Sequence, residues 1–364
     1  MPALTPTGTP ISSPGASGRR AYPNARSLSV RAAAAATSST ASTKKHAIIT
    51  GANTGIGLEI AKALASTGDY DVTLACRDAA KADAAAATVR AAGAAAGATG
   101  AVATLALDLA SLASVRAAAA RLLDGGRPID VLVNNAGIMA LPDRQTTADG
   151  FERQLGVNHL GPFLLTSTLL PLLADPATPS RIVNLASSAH QFAPKGMPWS
   201  DIQSEQNYSA WGAYGASKLA NILHVLALSA SAPASARLTA TACHPGVVRT
   251  ELARHLVDPA SAGFLQRVAL ALTYPFLKTP AQGAATPIYL ASSPEVEGIS
   301  GRYFSNCKPV KASDAAYDLE AAKKLWELSA SLTEAPGVPW LERQGVYFFS
   351  SSSLKTCDDN KSPR

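Results

Sequence analysis

Thr50-Gly51-Ala52-Asn53-Thr54-Gly55-Ile56-Gly57 is the stretch on which the reading of the fold turns. It follows a short β-like run at 46–50 and opens a helical pattern that continues to about residue 66. Glycines at such a junction let the backbone turn tightly and come close to a pyrophosphate. The helix start, at Gly55, Ile56 and Gly57, then offers unpaired N–H groups and a positive dipole end to the anion. A glycine triplet alone marks any tight turn; its place directly after the first strand gives it weight.

Outward from this loop, apolar runs alternate with helical patterns. Strands are expected at 71–75, 102–107, 130–133, 181–185, 237–242 and 301–304, and helices at 79–92, 112–123, 150–172 and 211–228. Strands joined by crossover helices form right-handed βαβ units and a parallel sheet covered on both faces. The expected fold is therefore α/β: a single Rossmann-like, doubly wound parallel sheet with helices on each side, over residues 44–335. Residues 336–364 form a tail that, from Ser350, reads as disordered, with a run of four serines and mixed charge.

The net charge of +6 invites a nucleic-acid reading, so its location matters. Arg19, Arg20, Arg26, Arg31, Lys44 and Lys45 carry the whole excess, and the remaining 26 basic residues match the 26 acidic ones. A nucleic-acid partner needs a basic patch on the folded domain, and none is visible. Residues 1–43 are rich in Ser, Thr, Ala, Pro and Arg, and the first acid is Glu59, the composition of an organelle transit peptide. Ser29-Val30-Arg31-Ala32-Ala33 resembles a plastid processing site, so the chloroplast is expected, with the mitochondrion as the alternative. No apolar run reaches the length of a membrane span. Cys76, Cys243, Cys307 and Cys357 are far apart and the histidines lack ligand spacing, so no metal site is expected.

The second strand ends in Cys76-Arg77-Asp78. An acid at that point binds the ribose hydroxyls of NAD, whereas Arg77 suits the 2′-phosphate of NADP, and Asn53 and Thr54 add neutral hydrogen bonds. Asp78 is the contrary signal, expected to point away from Arg77. Asp108-Leu109 and Asn134-Asn135-Ala136-Gly137 end the third and fourth strands, beside the adenine and under the rest of the dinucleotide.

Tyr214-Gly215-Ala216-Ser217-Lys218 places a tyrosine and a lysine four apart, on one face of a helix. A phenol near pKa ~10 is a poor proton carrier until a neighbouring ammonium favours the phenolate. Ser187, after the fifth strand, can donate to a substrate oxygen, with Ser188 as its rival. Asn158, amid Leu and Phe, needs a partner: a water on a proton path to Lys218, or a satisfied core amide.

In their order along the chain these motifs, with Pro245-Gly246, resemble the short-chain dehydrogenase/reductase family over nearly all of residues 45–332. The resemblance implies Tyr214 as general acid/base, Lys218 as its tuner and ribose ligand, Ser187 as the group orienting the carbonyl, and Asn158 as part of a proton relay. It implies that Gly51, Asn53, Thr54, Gly55, Ile56, Gly57, Arg77, Asp108, Leu109, Asn135, Ala136 and Gly137 line the NADP(H) site. Tyr214, Lys218, Pro245, Gly246, Val248 and Thr250 would complete that site at the nicotinamide end. Leu74-Ala75-Cys76-Arg77-Asp78, Asn158-His159-Leu160-Gly161 and Lys324-Leu325-Trp326-Glu327 resemble the retinol-dehydrogenase-like branch. That branch includes a plastid inner-envelope dehydrogenase associated with the protein-import translocon. The implied substrate is a small lipophilic carbonyl or alcohol. Two alternatives stand beside it, a light-dependent protochlorophyllide reductase and an NADP sensor of the plastid import machinery. The reductase carries a long insertion for which the 27 positions between Ser187 and Tyr214 leave no room. The apolar segment 264–277 falls where the family places a mobile lid or a subunit contact. Peripheral membrane association and a homodimer or tetramer are left open.

Overall fold

The computed structural model describes residues 44–174, 177–248 and 277–336. The leader, the tail from residue 337, Thr250 and, apart from Leu277, the expected lid lie outside the described residues.

Seven parallel strands run through the described chain: β1 (Lys45–Thr50), β2 (Tyr70–Cys76), β3 (Val102–Ala106), β4 (Val131–Asn134), β5 (Ser180–Leu185), β6 (Leu238–Cys243) and β7 (Arg302–Ser305). A two-residue strand, β8 (Lys308–Pro309), pairs antiparallel with β7 at the edge, giving the order β3-β2-β1-β4-β5-β6-β7-β8. The order reverses between β1 and β4, and ligands of open α/β sheets bind outside the strand C-termini at that crevice.

Because side chains alternate along a strand, each strand feeds two cores. Ile48, Leu132, Ile182 and Ala240 are in register across four strands and pack on one face. Helices α3 (Leu112–Gly125), α4 (Gly161–Leu173), α5 (Ala210–Ser231) and α7 (Leu319–Thr333) cover that face. Ile49, Val133 and Val183 point the other way, under α1 (Gly55–Thr67), α2 (Ala79–Ala95) and α6 (Pro280–Ser292). Strands buried on both faces explain the near-continuous apolar runs of the sequence.

The helix expected at 150–172 is three pieces. A single turn at Arg153–Leu155 leads into a π turn, Gly156–Leu160, and only then α4. The bare Cα atoms of Gly156 and Gly161 permit this. A Cβ at Gly156 would lie 2.4 Å from Thr147, and one at Gly161 would lie 2.6 Å from the Leu109 carbonyl oxygen. The π turn sets Asn158 toward the site rather than along a regular helical face.

Candidate active site

Most of the expected cofactor loop, with Tyr214 and Lys218, lines one cleft of about 380 Å³, whereas Gly57, Asn158 and Ser187 lie outside its lining. The cleft runs from Arg77, past the Gly51–Ile56 loop and Asp108-Leu109, over Ala136 and Gly137, to Tyr214, Lys218 and Pro245.

The loop is built for close approach. Gly51 (φ +65°) and Gly55 (φ +57°) sit in the left-handed region where side chains are strained. Cys76 is buried beneath the loop, and burial pushes its thiol up, opposed by the nearby Ala52 and Asn53 backbone. Apart from α4, which continues from the π turn, the helix starts differ in their caps. Asp78, Ser111, Ser209, Thr279 and Asp318 each accept a first-turn N–H at the start of α2, α3, α5, α6 and α7. Thr54, before α1, makes no such bond, so the first-turn donors of α1 remain open to an anion.

The end of β4 clamps this loop. Thr50 Oγ1 accepts from the N–H groups of Asn135 and Ala136, both at 3.0 Å, and Asn135 Nδ2 donates to the Thr50 carbonyl at 2.8 Å. Asn135 thus lines the cleft while its amide holds the turn. Gly137 is bare because a Cβ there would lie 3.0 Å from Asn158 Oδ1 and 3.3 Å from Lys218 Nζ.

At the adenosine end the strand stops at Cys76, two residues before Asp78. Asp78 is the N-cap of α2, accepting from the Lys81 N–H at 3.0 Å, with Lys81 Nζ 4.0 Å from its carboxylate. The acid is engaged as a cap, yet it lines the cleft together with Arg77 and Lys81 rather than pointing away from Arg77 as expected. Sequence reading missed Lys81. The signal was present, since an Asp before an alanine-rich helix is a cap and its third helical residue turns back toward it.

In the catalytic cluster Tyr214 and Lys218 are both buried, with Nζ 5.7 Å from the phenol ring centre. Burial pushes the Lys218 ammonium down to about 8, and its Nζ donates to the Leu185 carbonyl at 3.1 Å. Burial also pushes the Tyr214 phenol up, opposed by a hydrogen bond with Ser187. Ser187 is the N-cap of a 3₁₀ turn, Ser188–Phe192, and is half-buried, whereas Ser188 faces solvent. Asn158 is a fully engaged amide: Oδ1 accepts from the Ile138 N–H at 2.8 Å, and Nδ2 donates to the Ile138 carbonyl and to Ser217 Oγ, both at 2.9 Å. Its side chain braces the segment over which Lys218 passes. Beyond the cleft, Gly246 (φ +87°) gives its N–H to His244 Nδ1 at 3.1 Å, and Val248 bridges to Lys278 beside α6.

A protein-family model described as short chain dehydrogenase matches residues 45–260. Human retinol dehydrogenase 14 is 43% identical over 294 residues, covering 78% of this chain and 85% of that protein. A crystal structure of an uncharacterised protein from Mycobacterium paratuberculosis shares the fold with a TM-score of 0.61 at 35% identity, covering 80% of this chain and 94% of that one. A 3-ketoacyl-(acyl-carrier-protein) reductase from Brucella melitensis, solved with NADH, gives a TM-score of 0.52 at 26% identity, covering 71% of this chain and 95% of that one.

Proposed function

The chain belongs to the short-chain dehydrogenase/reductase family, in its retinol-dehydrogenase-like branch, and from that premise we propose that it is an NADP(H)-dependent oxidoreductase acting on a small lipophilic carbonyl or alcohol. The observation that carries the proposal is a single cleft. It joins an uncapped helix start, Arg77 and Lys81 at one end to Tyr214 and Lys218 at the other, with Ser187 next to the Tyr214 phenol just outside the lining.

Arg77 and Lys81 would hold the 2′-phosphate, the first turn of α1 the pyrophosphate, and Lys218 with the Ala136-Gly137 floor the nicotinamide end. The cofactor, when bound, would supply hydride-transfer chemistry. Ser187 donates a hydrogen bond to the substrate oxygen, and Tyr214 delivers a proton to it in reduction or removes one in oxidation. Lys218, still mostly protonated at neutral pH with a pKa near 8, stabilises the phenolate left behind. Burial of Tyr214 works against that phenolate, so the ammonium has to be fixed in place, and its bond to the Leu185 carbonyl does this.

The test is oxidation of NADPH and of NADH by the full chain with a panel of lipophilic aldehydes. The expected result is turnover that prefers NADPH, and a Tyr214→Phe variant that still binds NADPH but loses activity by about 10²–10⁴-fold. Equal use of the two cofactors overturns the NADP reading, and retained activity in Tyr214→Phe overturns the mechanism. For the acid-free leader we propose plastid import. Residues 1–43 fused to a fluorescent reporter test this, and delivery to mitochondria refutes it.

A further inference from the structure

Among the described residues Phe163 and Phe304 are each 1% exposed and Trp326 is 3% exposed. Phe192 at 57%, Trp211 at 41% and Tyr317 at 41% are the exposed aromatics among them, and the first two lie together. Their ring centres are 5.6 Å apart at 72°, and Trp211 in turn meets the Tyr214 ring at 6.1 Å and 76°. Three rings therefore step edge-to-face from solvent to the phenol, each contact within the favourable range for aromatic pairs.

The base beneath these exposed rings is fixed. Phe192 closes the five-residue 3₁₀ turn that Ser187 caps, so one short element carries the Ser187 hydroxyl at one end and the ring at the other. His190, buried in the middle, is bonded to the Ser187 carbonyl through Nδ1 at 2.7 Å and accepts the Ser313 N–H on Nε2 at 3.0 Å. Gly215, next to Tyr214, lets the turn press on α5, since a Cβ there would lie 2.7 Å from the Ala189 carbonyl oxygen and 3.0 Å from Phe192 Cβ. No Asp, Glu, Lys or Arg occurs in 186–194 or in 206–217, so no ionic group of either segment competes for the surface.

We infer that Phe192 and Trp211 form the wall on which the apolar tail of the substrate lies, a neutral, flat aliphatic or conjugated chain whose carbonyl sits at Tyr214 and Ser187. This specificity element rests on the reading of the chain as a carbonyl reductase. A tail laid along the rings removes apolar surface from water on both partners, and that gain scales with tail length.

The experiment is a chain-length series: kcat/KM of the full protein with NADPH for straight-chain aldehydes from butanal to decanal. The wild type is expected to gain about two- to fourfold per methylene over the part of the tail that lies on the rings. Phe192→Ala and Trp211→Ala flatten the series, lowering the decanal-to-butanal ratio by about tenfold or more, and Trp211→Phe restores much of it. A merely structural role lowers all aldehydes equally and leaves that ratio unchanged, which overturns the inference, as does an unaltered series. Should Trp211→Ala fail to fold, Phe192→Leu reads the same ratio. A wild type that turns over aldehydes briskly with no dependence on length refutes the wall alone. One that oxidises NADPH with no aldehyde refutes the reductase reading and the wall with it.

Discussion

Gly57→Ala sets two well-measured effects against each other, and the structure decides which wins. Gly57 is the third residue of α1, and helix propensity alone favours alanine there by at most about 1 kcal/mol. A Cβ at Gly57, however, would lie 2.5 Å from the Gly51 carbonyl oxygen and 2.5 Å from Asn135 Nδ2. The first of these is backbone, and the second is the amide that clamps the loop to β4, so neither can swing aside freely. Overpacking of this kind costs about 1–3 kcal/mol, and a lost clamp hydrogen bond adds roughly 1 kcal/mol. After subtracting the propensity gain, the net expectation is a loss of about 1–3 kcal/mol. Because the displaced atoms shape the anion loop, the NADPH dissociation constant should also rise by about tenfold or more. Gly125→Ala is the control: it ends α3, and nothing lies within 4 Å of its Cβ position. The same chemical change there should leave stability unchanged or raise it by up to about 1 kcal/mol. Urea unfolding and NADPH titration of the two variants give the answer. Should Gly57→Ala match Gly125→Ala in both, the close approach of α1 to the β1 and β4 turns is not what holds the cofactor loop.

Arg77→Ala should raise the KM for NADPH by about ten- to a hundredfold while leaving that for NADH nearly unchanged, because only the former carries the phosphate. Asp78→Asn keeps the cap of α2, removes the acid beside Lys81, and should sharpen the NADPH preference; an unmoved NADPH/NADH ratio in both variants refutes this use of the adenosine end. Acid should destabilise the fold through its buried histidines. Burial holds His159 down at about 3 and His46, with help from Arg127, at about 4, against an ordinary 6.5. Below pH 6.5 the unfolded chain takes up protons that the native state refuses, so stability is full above 6.5 and falls as pH drops toward 4 and 3. For His159 the loss is roughly 2 kcal/mol at pH 5. His159→Gln should flatten the dependence of the urea midpoint on pH between 6.5 and 4, and parallel curves for variant and wild type would show that other groups govern it.

The alternation of strands and helices was legible because both periods are strong in this sequence and the parallel strands are apolar on both faces. What stayed hidden has a physical cause in each case. The stretch 150–172 keeps helical periodicity through the π turn, and only the approach of Gly156 to Thr147 and of Gly161 to Leu109 reveals the extra residue. Helix α6 contains Gly283 and Pro287, both of which read as breakers. In space Gly283 is needed, since a Cβ there would lie 2.6 Å from Val248. The side-chain direction expected of Asp78 rests on strand alternation past Cys76, whereas Asp78 is the cap of α2. Phe192 and Trp211 look like ordinary core aromatics in one dimension, and their exposure beside Tyr214 is a property of the fold alone.

Asn134 and Asn135 show why adjacent identical residues need not share a role. Strand alternation sends their side chains to opposite faces of the sheet. Asn135 turns toward β1 and ties the cofactor loop through Thr50. Asn134 turns into the helix layer, where Nδ2 donates to its strand neighbour Asn184 at 2.8 Å and to Thr166 Oγ1 at 3.1 Å. Three residues on, Asn158 grips the Ile138 backbone from the π turn. Side-chain amides thus hold residues 134–138 at both ends, and only Ala136 and Gly137 are left between as bare floor. That bareness is required, because Lys218 and the Asn158 amide close over Gly137 from above. A floor fixed by hydrogen bonds and stripped of side chains sets the position of the Lys218 ammonium. Under the proposed mechanism that is the group whose place beside a buried tyrosine has to be preorganised.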